Sequence, residues 1–266
     1  MSIKDSKKLL KSQYKDSDKL NDRILLHNYF STNSYGWHKW VFDQLLDICG
    51  KNRILELGCG NGALCFKNIE RVPNEWQVIL SDFSPGMLKK VKESLGAKTE
   101  FVFENIDAQS IPYGDNSFDV IIANHMLYHV PDLDKALSEI RRVLTDDGFL
   151  FCSTVGLENM KEMRELLLEF DVDFTLGTAQ KVFGLENGRE RMLPYFEKVE
   201  RRLYHDSLNI TEPEPLVDYI LTFSGMGNIE QVVCEHKAEF EDFIVGKIRD
   251  NGSIKITKSA GIFVAR

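Results

Sequence analysis

A chain of 266 residues with 43% apolar and 28% charged side chains can bury the core of one large α/β domain or two small ones. Its formal charge of −8 argues against a nucleic-acid-binding or anionic-membrane surface. The absence of a signal-peptide pattern and of any apolar run near the ~18 residues that span a bilayer, with five cysteines but no C-x-x-C pair, points to a reducing, cytoplasmic setting.

Residues 1–50 read as helical. The first twenty mix lysines with aspartates, as a solvated helix or tail does. The end of this stretch is aromatic, with Tyr29, Phe30, Tyr35, Trp37, Trp40 and Phe42. Ser34 or Gly36 starts a helix whose one face holds Trp37, Val41, Leu45 and Ile48. These rings either pack that helix onto a sheet edge, or Tyr14, Tyr35 and Trp37 close over a ligand as a lid.

Ile54, Leu55 and Leu57 predict a short buried parallel strand. It breaks at Gly58, Cys59, Gly60, Asn61 and Gly62, and a helical pattern follows from Ala63 through Ile69. Glycines at this spacing allow a tight turn and leave no Cβ between backbone and ligand. A following helix turns its free N–H groups toward that ligand. Gly58, Gly60 and Ala63 also fit the dinucleotide fingerprint, which keeps a nicotinamide-dependent oxidoreductase open. Glu56 opposes it: a carboxylate two residues before the first glycine repels a pyrophosphate and suits an ammonium or sulfonium.

Val78, Ile79 and Leu80 predict a second buried strand ending at Asp82, ~20 residues past the loop, where such folds set an acid against a ribose diol. The other reading of Asp82 is a cap for the helix beginning near Ser84-Pro85. Phe83 and Met87 stand as apolar walls beside it. Phe101, Val102 and Phe103 form a third strand, followed by Ile106, Asp107 and Ala108. A fourth runs from Phe118 to Ala123 and ends in Asn124-His125-Met126-Leu127-Tyr128-His129. His125 and His129 are spaced i, i+4 like a zinc pair, but a third ligand and the Glu of a zinc helix are missing, so no metal is expected. His129 fits a general base or a hydrogen-bonded loop residue.

Asp132 caps a helix to Leu144, and Thr145-Asp146-Asp147-Gly148 turns into a fifth strand, Phe149 to Thr154. A helix from Glu158 to about Phe170, a short one from Arg189 to Phe196 and a strand from Val199 to Leu208 follow. Thr211 with Glu214 forms a capping box for a helix holding Leu216, Tyr219, Ile220 and Phe223. A helix from Glu230 to Lys247 and a strand from Ile254 to Val264 complete the chain.

Glu56-x-Gly58-x-Gly60-x-Gly62 and Ser117-Phe118-Asp119-Val120-Ile121 resemble the class I S-adenosylmethionine-dependent methyltransferases, in particular the small-molecule, type 11-like domain. The resemblance covers about residues 50–155 and is loose outside them. It implies a Rossmann-like, doubly wound α/β sheet of seven strands, mainly parallel, with an antiparallel C-terminal hairpin and a helical cap. One domain over 1–266 is expected, with a lid segment at 1–50, a cofactor core at 51–155 and cap elements within 157–250.

The implied cofactor is S-adenosylmethionine, with S-adenosylhomocysteine as product. Glu56 and the loop at Gly58, Cys59, Gly60 and Gly62 would hold the methionine end, and Asp82 the ribose. Ile106, Asp107 and Ala108 would hold the adenine, and Asn124 would meet the cofactor through its backbone. His125, Tyr128 and His129 would face a small-molecule acceptor at O, N or C, with a peptide or protein group as runner-up. Besides the oxidoreductase, the alternative is a cofactor-binding scaffold without turnover.

Overall fold

Strand β1 (Arg53–Leu57) is buried on both faces, which is why its sequence is a continuous apolar run interrupted only by Glu56. The computed structural model describes residues 25–47, 52–95, 100–172, 178–223 and 228–266. Six further strands complete the sheet: β2 (Gln77–Asp82), β3 (Val102–Asn105), β4 (Phe118–Asn124), β5 (Leu144–Val155), β6 (Val199–Ile210) and β7 (Ile254–Ala265). Their order is β3-β2-β1-β4-β5-β7-β6. The first five pair in parallel, and β7 runs antiparallel to β5. Lys198 and Arg266 exchange both backbone hydrogen bonds, an antiparallel pairing of β6 with β7. A dinucleotide oxidoreductase would repeat its parallel half at this edge; the antiparallel end is the sheet the methyltransferase resemblance implies.

The chain divides into two units, with boundaries at Tyr204 and Lys258 falling inside β6 and β7. The sheet unit comprises Tyr35–Leu157, Gly177–Tyr204 and Ser259–Arg266. Its helices are α1 (Trp37–Leu46), α2 (Ala63–Phe66), α3 (Pro85–Leu95), α4 (Leu133–Val143), α6 (Thr178–Val182) and α7 (Gly188–Met192). Alternate strand residues serve opposite faces. Leu55, Leu57, Ile121, Ala123 and Leu150 pack with Ala136, Leu137 and Ile140 of α4. Ile54, Leu80, Val120 and Ile122 pack with Phe42 of α1, Cys65 of α2 and Val91 of α3. Helices thus cover both sides, as a period of two in buried parallel strands requires.

The second unit comprises Met1–Ser34, Glu158–Leu176 and His205–Lys258. Helices α5 (Lys161–Glu169), α8 (Pro213–Leu221) and α9 (Lys237–Asn251) bury Met163, Leu167, Leu216, Ile220, Phe240 and Ile244 with Leu208 and Ile256 of the strands. The Asp206 carboxylate is buried there. It accepts from Ser31 Oγ (2.7 Å), Asn33 N (3.1 Å) and Lys258 Nζ (2.7 Å).

Several expected elements differ in extent. The helix after the glycine loop lasts only Ala63–Phe66, because Asn68 Nδ2 donates to Leu64 O (2.8 Å) and takes that carbonyl from the helical ladder. The turn expected at 145–148 lies within β5. Phe118 pairs with Leu144 and Val120 with Phe149, so the extra residues form a bulge. No capping box forms at Thr211 and Glu214: α8 is capped at Glu212, without a side-chain bond. Pro213 takes the first helical position, which suits its fixed φ and missing N–H and moves the start by one residue. The helix expected from Glu230 is a π-helical turn, Glu230–Cys234, followed by the separate α9.

Candidate functional site

The carboxyl ends of β1, β2, β3 and β4 lie along one edge of the sheet, and the chain order reverses between β1 and β4. Ligands of open α/β sheets bind in the crevice at that reversal. Gly58, Gly60 and Gly62 all adopt positive φ there (65°, 57° and 73°). Two of these glycines have different tasks. A Cβ on Gly62 would lie 2.4 Å from Val91 Cγ2, so this glycine lets α3 pack against the loop. A Cβ on Gly60 would meet nothing within 4 Å, so this glycine keeps open space in front of the backbone.

Asp82 fixes the loop from the neighbouring strand. Its Oδ2 accepts from Gly60 N (2.9 Å) and its Oδ1 from Ser84 N (2.8 Å). Each carboxylate oxygen retains a second lone pair, so both can still accept from a diol. Ser84 Oγ, not Asp82, receives the Met87 N–H of α3, so the helix-cap reading of Asp82 fails. Phe83, beside it, is 72% exposed, a flat apolar surface at the crevice, and Met87 is half-buried.

Glu56 lies on the face of β1 that packs against α2. It is 1% exposed, and its carboxylate is met by the Cys65 thiol, whose Sγ is 3.7 Å from Oε2. Burial, with the nearby Asp82 charge adding to it, pushes the Glu56 carboxyl up to about 8, against the weaker opposite pull of the thiol. Burial also raises the thiols of Cys59 and Cys65. Cys59 belongs to the core by its side chain and to the loop by its backbone, which donates to Ser81 O (2.8 Å).

At the end of β3, Asp107 accepts from the backbone and side-chain nitrogens of Gln109 (2.9 and 3.0 Å). Ile106 and Ala108 on either side of it are buried in the core. At the end of β4, His125 has φ 53°, a left-handed conformation that costs of order 1 kcal/mol outside glycine. The buried Ser153 of β5 holds it, donating to Asn124 Oδ1 and accepting from His125 N (2.8 Å). The His125 ring lies 5.0 Å from that of Trp37, which also contacts Trp40 and Tyr204. Tyr128 and His129 occupy a 3-10 turn, Leu127–His129, with their rings 4.5 Å apart.

The sheet edge therefore brings together Glu56, the glycine loop, Asp82, Asp107, Asn124 and His125. Tyr35, just before α1, is exposed, bonded to Asp43 and under Lys39. Tyr14 lies outside the described residues. Among the described residues no group of three or more His, Cys, Asp or Glu could hold a metal, and no helix is long and apolar enough to cross a membrane.

Sequence reasoning missed Ser81, Asn105 and Ser153. Ser81 Oγ donates to Glu56 O (2.8 Å), and Asn105 Nδ2 donates to Asp82 O and Phe83 O (2.7 and 2.9 Å). Their signal was available in part: Ser81 and Asn105 are polar residues at the carboxyl ends of β2 and β3, whereas Ser153 lies inside β5.

These features fit an adenosyl cofactor joined to a cationic amino acid. The Gly60 opening admits a ligand to the backbone, Asp82 has acceptor capacity for a diol, and Glu56 is a buried acid without a cation. The family model described as "Methyltransferase domain" matches residues 55–152. The demethylmenaquinone methyltransferase of Shouchella clausii is 31% identical over 178 residues, 66% of this chain and 73% of that one. The malonyl-[acyl-carrier protein] O-methyltransferase of Geobacter sulfurreducens is 32% identical over 112 residues; the match spans 42% of each chain, less than half of that relative. Among solved structures, Haemonchus contortus phosphoethanolamine N-methyltransferase 2, in complex with phosphomonomethylethanolamine and S-adenosylhomocysteine, superposes with TM-score 0.55 at 19% identity. That superposition covers 100% of this chain and 60% of the other.

Proposed function

The chain belongs to the methyltransferase domain family, and from that membership we propose that it transfers a methyl group from S-adenosylmethionine to an O, N or C nucleophile of a small molecule. The observation that carries this reading is the cradle at the ends of β1 and β2. There Asp82 grips the Gly60 amide, and Glu56, met by the Cys65 thiol and by no cation among the described residues, lies buried beneath the loop.

The cofactor's sulfonium makes its methyl group electrophilic, so the protein's task is alignment and exclusion of water, worth several kcal/mol of barrier. Glu56 supplies the negative charge for the cationic amino-acid end. Asp82 accepts from the ribose hydroxyls, and Phe83, Ile106, Asp107 and Ala108 bound the adenine. Asn124 and His125, fixed by Ser153, form the floor on which donor and acceptor meet. A base is required only where the acceptor holds its proton at neutral pH, as a phenol does, and the exposed His129 is the residue suited to take it.

Trp37, Trp40 and Tyr128, the two indoles backed by the buried Tyr204, favour a flat acceptor, since rings stack on rings. The name of the demethylmenaquinone relative supports an acceptor of that kind. Residues 1–50 and 157–250, which flank the family match, are where selectivity for a particular acceptor would reside. The reduced thiols of Cys59, Cys65 and Cys152 accord with a cytoplasmic enzyme.

Calorimetry with S-adenosylmethionine, S-adenosylhomocysteine and NAD tests the cofactor, and labelled methyl transfer to small-molecule pools tests turnover. Both adenosyl compounds should bind and NAD should not. Asp82→Ala should weaken both by at least ~1.5 kcal/mol, the low end for a hydrogen bond to charge; unchanged affinity removes Asp82 from the ribose role.

A further inference from the structure

Gln109 lies in the connection between β3 and β4 and uses both polar atoms of its side chain. Its Nε2 donates to Asp107 Oδ1 (3.0 Å) and, at 3.3 Å, to Oδ2. Its Oε1 accepts from the N–H of Asp132 (3.1 Å), the residue that caps α4. These partners fix which way the amide faces. Turned over, it would set an oxygen against the Asp107 carboxylate and N–H against N–H at Asp132. The connection is seated on the same helix. Ile111 N donates to Glu139 Oε2 (2.9 Å), and Arg142 Nη2 donates to Ile111 O (3.0 Å).

The consequence falls on Asp107. The backbone N–H of Gln109 (2.9 Å) and its side-chain amide together fill Oδ1. Among the described residues Oδ2 receives only the longer contact, so it retains a lone pair. The carboxylate is thereby held in one orientation, with one oxygen saturated and the other able to accept.

We propose that Gln109 is a positioning residue for base selection: by joining Asp107 to the start of α4, it holds one carboxylate oxygen ready for a purine that carries an amino group. The proposal rests on the adenine reading of Asp107 above and adds the residue that orients that acid. Gln109 acts through Asp107 and not on the cofactor itself. An amino group donates to the open oxygen, whereas a keto oxygen in its place repels the carboxylate. Asp132 directly follows residues 124–131, so the same amide ties the cofactor side of the sheet edge to the segment with Tyr128 and His129.

The two ends of Gln109 can be separated. Gln109→Glu keeps an oxygen for the Asp132 N–H but sets a second carboxylate against Asp107. Gln109→Met loses both bonds and introduces no charge. The test is calorimetry of the whole chain with S-adenosylhomocysteine and S-inosylhomocysteine, whose base carries a keto oxygen in place of the amino group. Wild type should favour the adenosyl compound. Gln109→Glu should shrink that preference at least ~10-fold and Gln109→Met about 3-fold, the scale of one hydrogen bond to a charge. In an Asp107→Ala background Gln109→Glu should change the preference less than ~2-fold, because its route is gone. An unchanged preference in Gln109→Glu overturns the proposal, as does an equal loss in the Asp107→Ala background. A larger loss in Gln109→Met than in Gln109→Glu also overturns it, since the Asp132 bond would then be what matters. Should Gln109→Glu not fold, Gln109→Met with and without Asp107→Ala decides on the same terms. A wild type that binds both probes equally removes Asp107 from the adenine role, and the proposal with it. A wild type that binds neither overturns the cofactor reading itself.

Discussion

Each unit of the molecule buries a carboxylate, and the two are treated in opposite ways. In the helical unit Asp206 has Lys258, Ser31 and the Asn33 amide around it. Burial alone would raise its carboxyl, but those partners outweigh burial and hold it below the usual aspartate range. In the sheet unit Glu56 has a thiol and acidic neighbours, and burial pushes it to about 8. A buried acid with its partners already present is part of the architecture. One without them keeps a carboxyl that burial disfavours as a charge, so the difference between the two lies in partner supply and not in residue type.

The strongest way to break the contrast is to remove the completed acid. Asp206→Ala leaves Lys258 buried without its partner and should cost about 3–5 kcal/mol in urea unfolding. A loss under about 1 kcal/mol would mean that the ion pair is ornamental.

Next in size is the pH dependence. Unfolded Glu56 ionises near 4.5 and folded Glu56 near 8. The empty protein therefore holds an extra proton between those values. Its contribution to stability is full below 4.5 and is lost as pH rises through about 8, by roughly 2–4 kcal/mol. Asp206 works in reverse, stabilising above its unfolded value of 3.8 and losing that contribution as pH falls. Thermal unfolding of Glu56→Gln from pH 5 to 9 should lack the alkaline decline; a wild-type curve flat across that range would place Glu56 in contact with water.

The glycine loop sharpens the same comparison between filled and open. Gly62→Ala drives a Cβ into Val91 and should destabilise by about 2–3 kcal/mol. Gly60→Ala meets only its unfavourable φ, about 1 kcal/mol, yet should lower S-adenosylhomocysteine affinity more than Gly62→Ala lowers it, once both are measured on folded protein. A comparable effect is expected at the edge of the site. Ser153→Ala leaves the His125 amide and Asn124 Oδ1 without their common partner and should cost about 1–2 kcal/mol, with Ser153→Cys recovering part of it.

Much of this was legible in the chain. The apolar run before Gly58, the spacing from Gly58 to Asp82 and the single acid at Glu56 are local patterns. Strand, tight turn and acid at a strand end follow from them with little help from distant residues. Strands β1, β2, β4 and β5 could be read in order as buried apolar runs, and the more exposed β3 from the apolar residues at 101–103. Element ends were less legible, since Asn68 and Pro213 settle them through single hydrogen bonds and fixed dihedrals, not through periodicity.

Residue order alone thus specified a doubly wound sheet with an acid-and-glycine cradle at its centre, because hydrophobic period and turn chemistry act over a few residues. Tertiary structure decided the electrical state of that cradle. Whether Glu56 meets a lysine or only Cys65, whether Gly60 faces a side chain or open space, and whether Ser153 reaches His125 depend on residues brought together from separate strands and helices. Burial and partner supply are properties of that packing, and they separate an acid held ionised by a lysine from one whose carboxyl burial pushes up.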